Sequence, residues 1–198
     1  MKILKQIILV FTLSAMSFSC GSDDDGGSSN SNGVLIYGDT EYQLKAGIIE
    51  DYGEYYDGLY NFDISLATSE IIESDGVPVP EDNIFSGVYF ELFTSNSSDL
   101  AEGTYAFGDN VEVNSYTYAN LFIDSSIENN NAISINSGTF TVLENGSTYE
   151  FSFQGTSSDG TSFSGSYTGS LQSYDYTDEF DRPATTSSVK TSGRAFRK

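Results

Sequence analysis

The sequence predicts an all-β protein: a single antiparallel β-sandwich of about eight or nine strands, with a closed up-and-down β-barrel as the alternative. Three observations carry this. Fourteen Tyr and fourteen Phe stand against three Pro in 198 residues, a balance that favours packed strands over disorder. Apolar and polar residues alternate with period two through most of the chain beyond residue 33. Turn dipeptides, Asn145-Gly146 and Asp159-Gly160 above all, separate the alternating runs at short spacing.

Residues 1–19 read as a signal peptide. Two early lysines precede an apolar run over residues 7–18, too short to span a bilayer and followed by small residues. The segment ends in "SFSC", and its lone cysteine, Cys20, resembles the lipobox of bacterial lipoproteins, in which that cysteine becomes the acylated first residue of the mature chain. The position held here by Ser17 is more often Leu in that motif. Residues 20–33 form a Gly/Ser/Asp-rich tether, "GSDDDGGSSNSNG" after the cysteine, which spans on the order of 20 Å as a flexible coil. Its acidic cluster is similar to the surface-export signal of Bacteroidota lipoproteins. The resemblance implies a protein lipid-anchored to the outer membrane through Cys20 and exposed on the cell surface.

Residues 34–181 make the β domain. "GVLIYG" and "TEYQLKAGII" flank Asp39-Thr40 as the first two strands. "LYNFDISLAT" sets Tyr60, Phe62, Ile64 and Leu66 against Asn61, Asp63 and Ser65, and "SGVYFELFT" sets Val88, Phe90 and Leu92 against Tyr89, Glu91 and Phe93. "GTYAFG" and "SYTYANLFID" supply two more strands. A three-stranded meander follows near 138–144, 147–156 and 161–169. One polar face per strand predicts sheets wetted on one side. Residues 71–85, with Pro78 and Pro80, are expected to form a long exposed loop. The basic tail, residues 182–198, lacks alternation and is expected to be mobile, with its bases lying against the acidic body. The phrases "SGTFTVLENGSTYEFSFQGTSSDGTSFSGSYTGSL" and "LAEGTYAFG" resemble segments of small all-β domains in Bacteroidota surface lipoproteins. Their motifs are turn glycines and alternating aromatics, so the resemblance implies fold and location and carries no catalytic residue over.

Charge and composition exclude several functions. Residues 21–181 hold all 29 Asp and Glu and one base, Lys45, whereas residues 182–198 hold five bases and no acid. An acidic body of this kind repels nucleic acid and anionic headgroups. One cysteine rules out an internal disulfide, and the absence of histidine rules out Ser–His and Cys–His catalysis and His-ligated zinc. Paired carboxylates can hydrolyse glycosides without histidine when held roughly 5–10 Å apart, but no motif selects a pair among so many acids. The chain is therefore expected to be no enzyme and to need no cofactor, with Ca2+ on its acidic residues as the one ion left open.

The stretch "IIEDYGEYYDGLY", residues 48–60, is the best candidate for a site, with four tyrosines and four carboxylates in thirteen positions. One reading is a turn, with Gly53 and Gly58 at a bend or bulge and the acids solvating it. The other is a ligand site built from Asp51, Tyr52, Glu54, Tyr55, Tyr56 and Asp57, whose rings would stack on sugar C–H faces while carboxylates accept from hydroxyls. A Ca2+ site needs six or seven converging oxygens, and the spacing does not match the D-x-[DN]-x-[DN]-G loop. The expected function is a membrane-anchored, non-enzymatic binding module for a glycan or a neighbouring surface protein. The alternatives are a structural or adhesive surface protein and, behind it, a carboxylate-dependent glycosidase.

Overall fold

The computed structural model describes residues 32–74, 76–129 and 131–178. The signal segment, Cys20, the tether up to residue 31 and the basic tail lie outside them. The described chain is all-β, with thirteen strands: β1 (Asn32–Tyr37), β2 (Thr40–Leu44), β3 (Ala46–Tyr56), β4 (Leu59–Ala67), β5 (Ile71–Ser74), β6 (Val77–Pro80), β7 (Phe85–Thr94), β8 (Gly103–Phe107), β9 (Ser115–Ser125), β10 (Ala132–Glu144), β11 (Tyr149–Ser157), β12 (Ser162–Gly169) and β13 (Gln172–Asp175).

Eleven of these strands form one sheet, in the order β13-β3-β4-β7-β9-β8-β10-β11-β12-β1-β2. The pairings are antiparallel except β13 with β3 and β8 with β9. The expectation of two facing sheets with eight or nine strands is thus replaced by one large curled sheet, a half-barrel. Connectivity forces the curl. β2 is one edge of the sheet, yet it runs through Lys45 alone into β3, which lies beside the opposite edge. Both ends of the sheet must therefore meet at this corner, and a Cβ on Gly47 would touch Leu66 of β4 and Tyr167 of β12 at once.

The long strands make the bend. β10 pairs with β9 through Ala132 to Ser134 and then with β8 through Thr139 to Val142, with register shifts between Ile135 and Ser137 and between Val142 and Glu144. Such irregularities add local twist and turn one strand from one neighbour to another. The concave side encloses the main core, where Phe62, Phe90, Tyr116, Phe140, Phe151, Phe153, Phe163 and Tyr167 gather from six strands. The predicted meander is present as β10, β11 and β12.

Residues 71–85 are not a loop throughout. They contain the hairpin β5–β6, in which Pro80 pairs with Ile71 and Pro78 with Glu73. Proline is accepted because both strands of a two-stranded ribbon are edges. Ile71 packs on the convex side against Ala46, Ile48, Ala67, Phe85, Tyr89 and Phe122, a second and smaller apolar cluster. This corrects the picture of strands wetted on one face. All ten residues of β7 and eight of the nine in β4 are buried, so both faces of these two strands are covered.

Candidate functional site

The predicted site residues fall at the far end of the β3–β4 hairpin. β3 continues to Tyr56, and only Asp57 and Gly58 connect it to β4, with Gly58 at φ 75° as such a tight turn requires. A bulge sits at Gly53, φ 67°, where the β3–β4 register shifts between Asp51 and Glu54. Asp51 Oδ1 accepts from Gly53 N at 2.7 Å, and Glu54 Oε1 accepts from Gly58 N at 3.0 Å. Two of the four carboxylates therefore hold the bulge and the turn, and Asp57 is exposed in that turn. The turn reading accounts for these acids.

The tyrosines do something different. Tyr52 lies on the convex face with Glu50 and packs against Tyr176 with ring centroids 5.5 Å apart. Tyr55 meets Phe93 edge-on at 5.1 Å and Tyr56 at 4.6 Å. Residues three apart on a regular strand face opposite ways. The bulge at Gly53 resets the alternation, so Tyr52 and Tyr55 share the convex face. Tyr176 in turn stacks with Tyr174 at 6.3 Å. These rings wall one side of a row that the sequence reading did not select.

That row is acidic. Glu50 of β3, Asp63 of β4 and Glu91 of β7 are direct cross-strand partners, with Tyr174 of β13 opposite Glu50 and Tyr118 of β9 opposite Glu91. Such partners lie about 4.5–5.5 Å apart between Cα atoms. The three acids are 0, 4 and 5 % exposed. Tyr89 donates its hydroxyl hydrogen to Asp63 Oδ2, and Asn61 Nδ2 donates to Asp63 Oδ1 at 3.0 Å and to Leu92 O at 3.3 Å. Burial, then the charges of Glu91 and Glu50, hold the Asp63 carboxyl well above the usual carboxylate range. Burial, followed by the charges of Asp63 and Glu91, pushes the Tyr89 phenol up as well. Among the described residues no group of three or more acids is disposed to hold a metal ion.

A raised carboxyl has a definite consequence for stability. Above the unfolded-state value near pH 4, the folded chain keeps a proton on Asp63 that the unfolded chain has released, so stability falls as pH rises toward the folded value. Asp63→Asn is expected to flatten this fall, read as urea midpoints across pH 4 to 8. An equal slope in both proteins would remove Asp63 as its source.

A second feature lies across the sheet. An open groove of about 500 Å³ runs over β1, β10, β11 and β12, lined by Ile36, Thr139, Gln154, Thr156, Ser162 and Ser164. Its polar residues alternate with Phe140, Phe153 and Phe163 of the core, and the backbones of Gly138 and Gly155 line it as well. None of its lining residues is charged. One end is framed by the β11–β12 turn, where Asp159 accepts from Tyr37 Oη at 2.5 Å and from Ser157 Oγ at 2.6 Å. Those bonds hold its carboxyl below the usual range. Comparison with known proteins finds no matching family model, no matching curated protein and no matching solved structure.

Proposed function

We propose that this chain is a lipoprotein anchored to the outer membrane through Cys20, exposed on the cell surface, whose β domain binds a neutral glycan without catalysing a reaction. The observation that carries the reading is the uncharged groove over β1, β10, β11 and β12 on a chain of net charge −21. Its volume of about 500 Å³ suits a small oligosaccharide segment. Hydroxyls of Thr139, Thr156, Ser162 and Ser164 and the amide of Gln154 both donate and accept, which matches sugar hydroxyls. The rival glycosidase needs an acid pair open to substrate, whereas Glu50, Asp63 and Glu91 are buried.

The hairpin tyrosines are the second seat for a ligand, favoured by the 52 % exposure of Tyr56 beside Tyr55. A neighbouring surface protein would use the same rim. A glycan array probed with residues 21–198 tests the reading, and two variants assign the seat. Gln154→Ala with Ser164→Ala is expected to lower affinity at least tenfold, while Tyr55→Ala with Tyr56→Ala leaves it within twofold. The reverse pattern moves the site to the hairpin, and a blank array with or without calcium removes glycan binding in favour of a protein partner.

A further inference from the structure

Building on glycan binding in the groove, we propose that the ligand is a straight, neutral, β-1,4-linked polysaccharide that lies across the strands. One sugar unit sits over each of β10, β11, β12 and β1. The groove is itself a cross-strand feature. Thr139 of β10 is the direct partner of Gln154 of β11, Gln154 of Ser164 of β12, and Ser164 of Ile36 of β1. Direct partners project to one face of a sheet, and here that face is turned away from the core, because Phe140, Phe153, Phe163 and Leu35 take the other. Thr156 and Ser162 are partners in the next row, two residues along, and both rows line the groove. The trough is thus four strands long and two rows wide. Three strand spacings make about 14 Å, against about 7 Å along the strands.

Spacing selects the direction and the linkage. Neighbouring strands lie about 4.8 Å apart, close to the length that one β-1,4-linked pyranose adds to an extended chain. A chain crossing the strands therefore meets a new side chain at every unit. One running along a strand meets them every second residue, about 6.7 Å, and leaves the trough after a single unit. Bent chains, such as α-1,4-linked ones, fall out of step with the strands. Charge selects the polymer class. The face stays uncharged one row further, where Thr104, Thr141, Ser152 and Ser166 are successive partners and Thr104 Oγ1 lies 3.1 Å from Thr141 Oγ1. Acids rim this island: Glu144 and Glu150 beyond that row, Glu41 opposite Ile36, and Asp39 and Asp159 in the turns at the other end. An uncharged surface inside an acidic rim complements a neutral polymer and repels uronates or sulfated chains. The row also continues from Thr139 to Ala106 of β8, whose methyl group leaves that end open to an internal stretch of polymer.

Calorimetry on the full-length chain tests this with β-1,4-linked glucose, mannose and xylose oligomers of two to six units. Oligomers of β-1,3- and α-1,4-linked glucose serve as bent controls. Affinity for at least one β-1,4 series is expected to rise roughly threefold or more with each unit up to four, and to change less than about twofold beyond. Ile36→Arg, which obstructs the β1 end of the row, should bring that plateau down to three units. In NMR spectra the six-unit oligomer should shift the amides of Ile36, Thr139, Gln154 and Ser164 together. A plateau at two units, shifts confined to one strand, or tightest binding by a bent series overturns the crossing and leaves glycan binding in the groove intact. Hits on the glycan array with no binding of any β-1,4 series also overturn the crossing alone. A silent array together with silent oligomers removes the crossing and the glycan function at once.

Discussion

Phe90→Ala is expected to lower the stability of the domain by about 3–5 kcal/mol, a large part of its total. Domains of this size have roughly 5–15 kcal/mol to lose. Phe90 is fully buried at the middle of β7. Its ring lies 5.3 Å from Tyr116 of β9, 4.8 Å from Phe140 of β10 and 5.7 Å from Phe153 of β11. Tyr116 stands on the adjacent strand, while Phe140 and Phe153 come from the opposite arc of the curled sheet, so Phe90 is where the two arms of the half-barrel touch. Alanine would leave a cavity that the strands cannot close, since hydrogen-bonded neighbours hold each of them in place. Tyr116 adds to the cost. Its hydroxyl is buried and makes no hydrogen bond among the described residues, and burial already holds that phenol above its ordinary value. Phe90→Leu keeps most of the volume and should cost less than about 1.5 kcal/mol. Tyr56→Ala, on the exposed rim, should stay within about 0.5 kcal/mol. Urea denaturation of the three variants checks the ranking. A Phe90→Ala loss under about 1 kcal/mol would mean that the two arms do not share one core.

How far the sequence discloses this arrangement depends on what each signal reports. Alternation with turn dipeptides is local, and so the meander β10–β12 and the strands carrying Phe62 and Phe90 are readable from it. Whether those strands close into two sheets or one is decided by β10 changing partners in mid-strand, which no local pattern records. Pro78 and Pro80 argue against a central strand but say nothing against a two-stranded ribbon, and β6 is one. β13 has four residues and pairs in parallel, so only the tertiary fold reveals it.

The same limit governs the site. Alternation assigns Asn61, Asp63 and Ser65 to one face, yet it is blind to what lies over that face. A clue was present in β7, where Glu91 is flanked two residues away on each side by Tyr89 and Phe93. Aromatics on both sides of an acid mark a covered face rather than a wetted one. Tyr52 and Tyr55 could not be placed together from sequence, because the bulge that aligns them depends on Asp51 folding back onto Gly53 N.

Gly155→Ala should cost about 3 kcal/mol, although it adds a single methyl group. Overpacking accounts for roughly 1–3 kcal/mol and a weakened ladder bond for about 1 more. A Cβ at Gly155 would sit 2.1 Å from Ser137 O and 2.8 Å from two ring carbons of Phe163. Its direct partner is Gly138, where a Cβ would sit 2.2 Å from Gln154 O. The two glycines thus face each other across β10 and β11, next to the register shift at which β10 bends. Main chains approach there as closely as they do because neither residue has a side chain. The obstacle at Gly155 is a backbone carbonyl, which moves only if the strands part. Gly160→Ala is the control, since its φ of +87° strains alanine but nothing lies within 4 Å of the new carbon. It should cost about 1 kcal/mol. Equal losses would show that the β10–β11 corner has room to relax. A threefold difference, together with lost glycan binding in Gly155→Ala alone, would tie the same close approach to both the curl of the sheet and the floor of the groove.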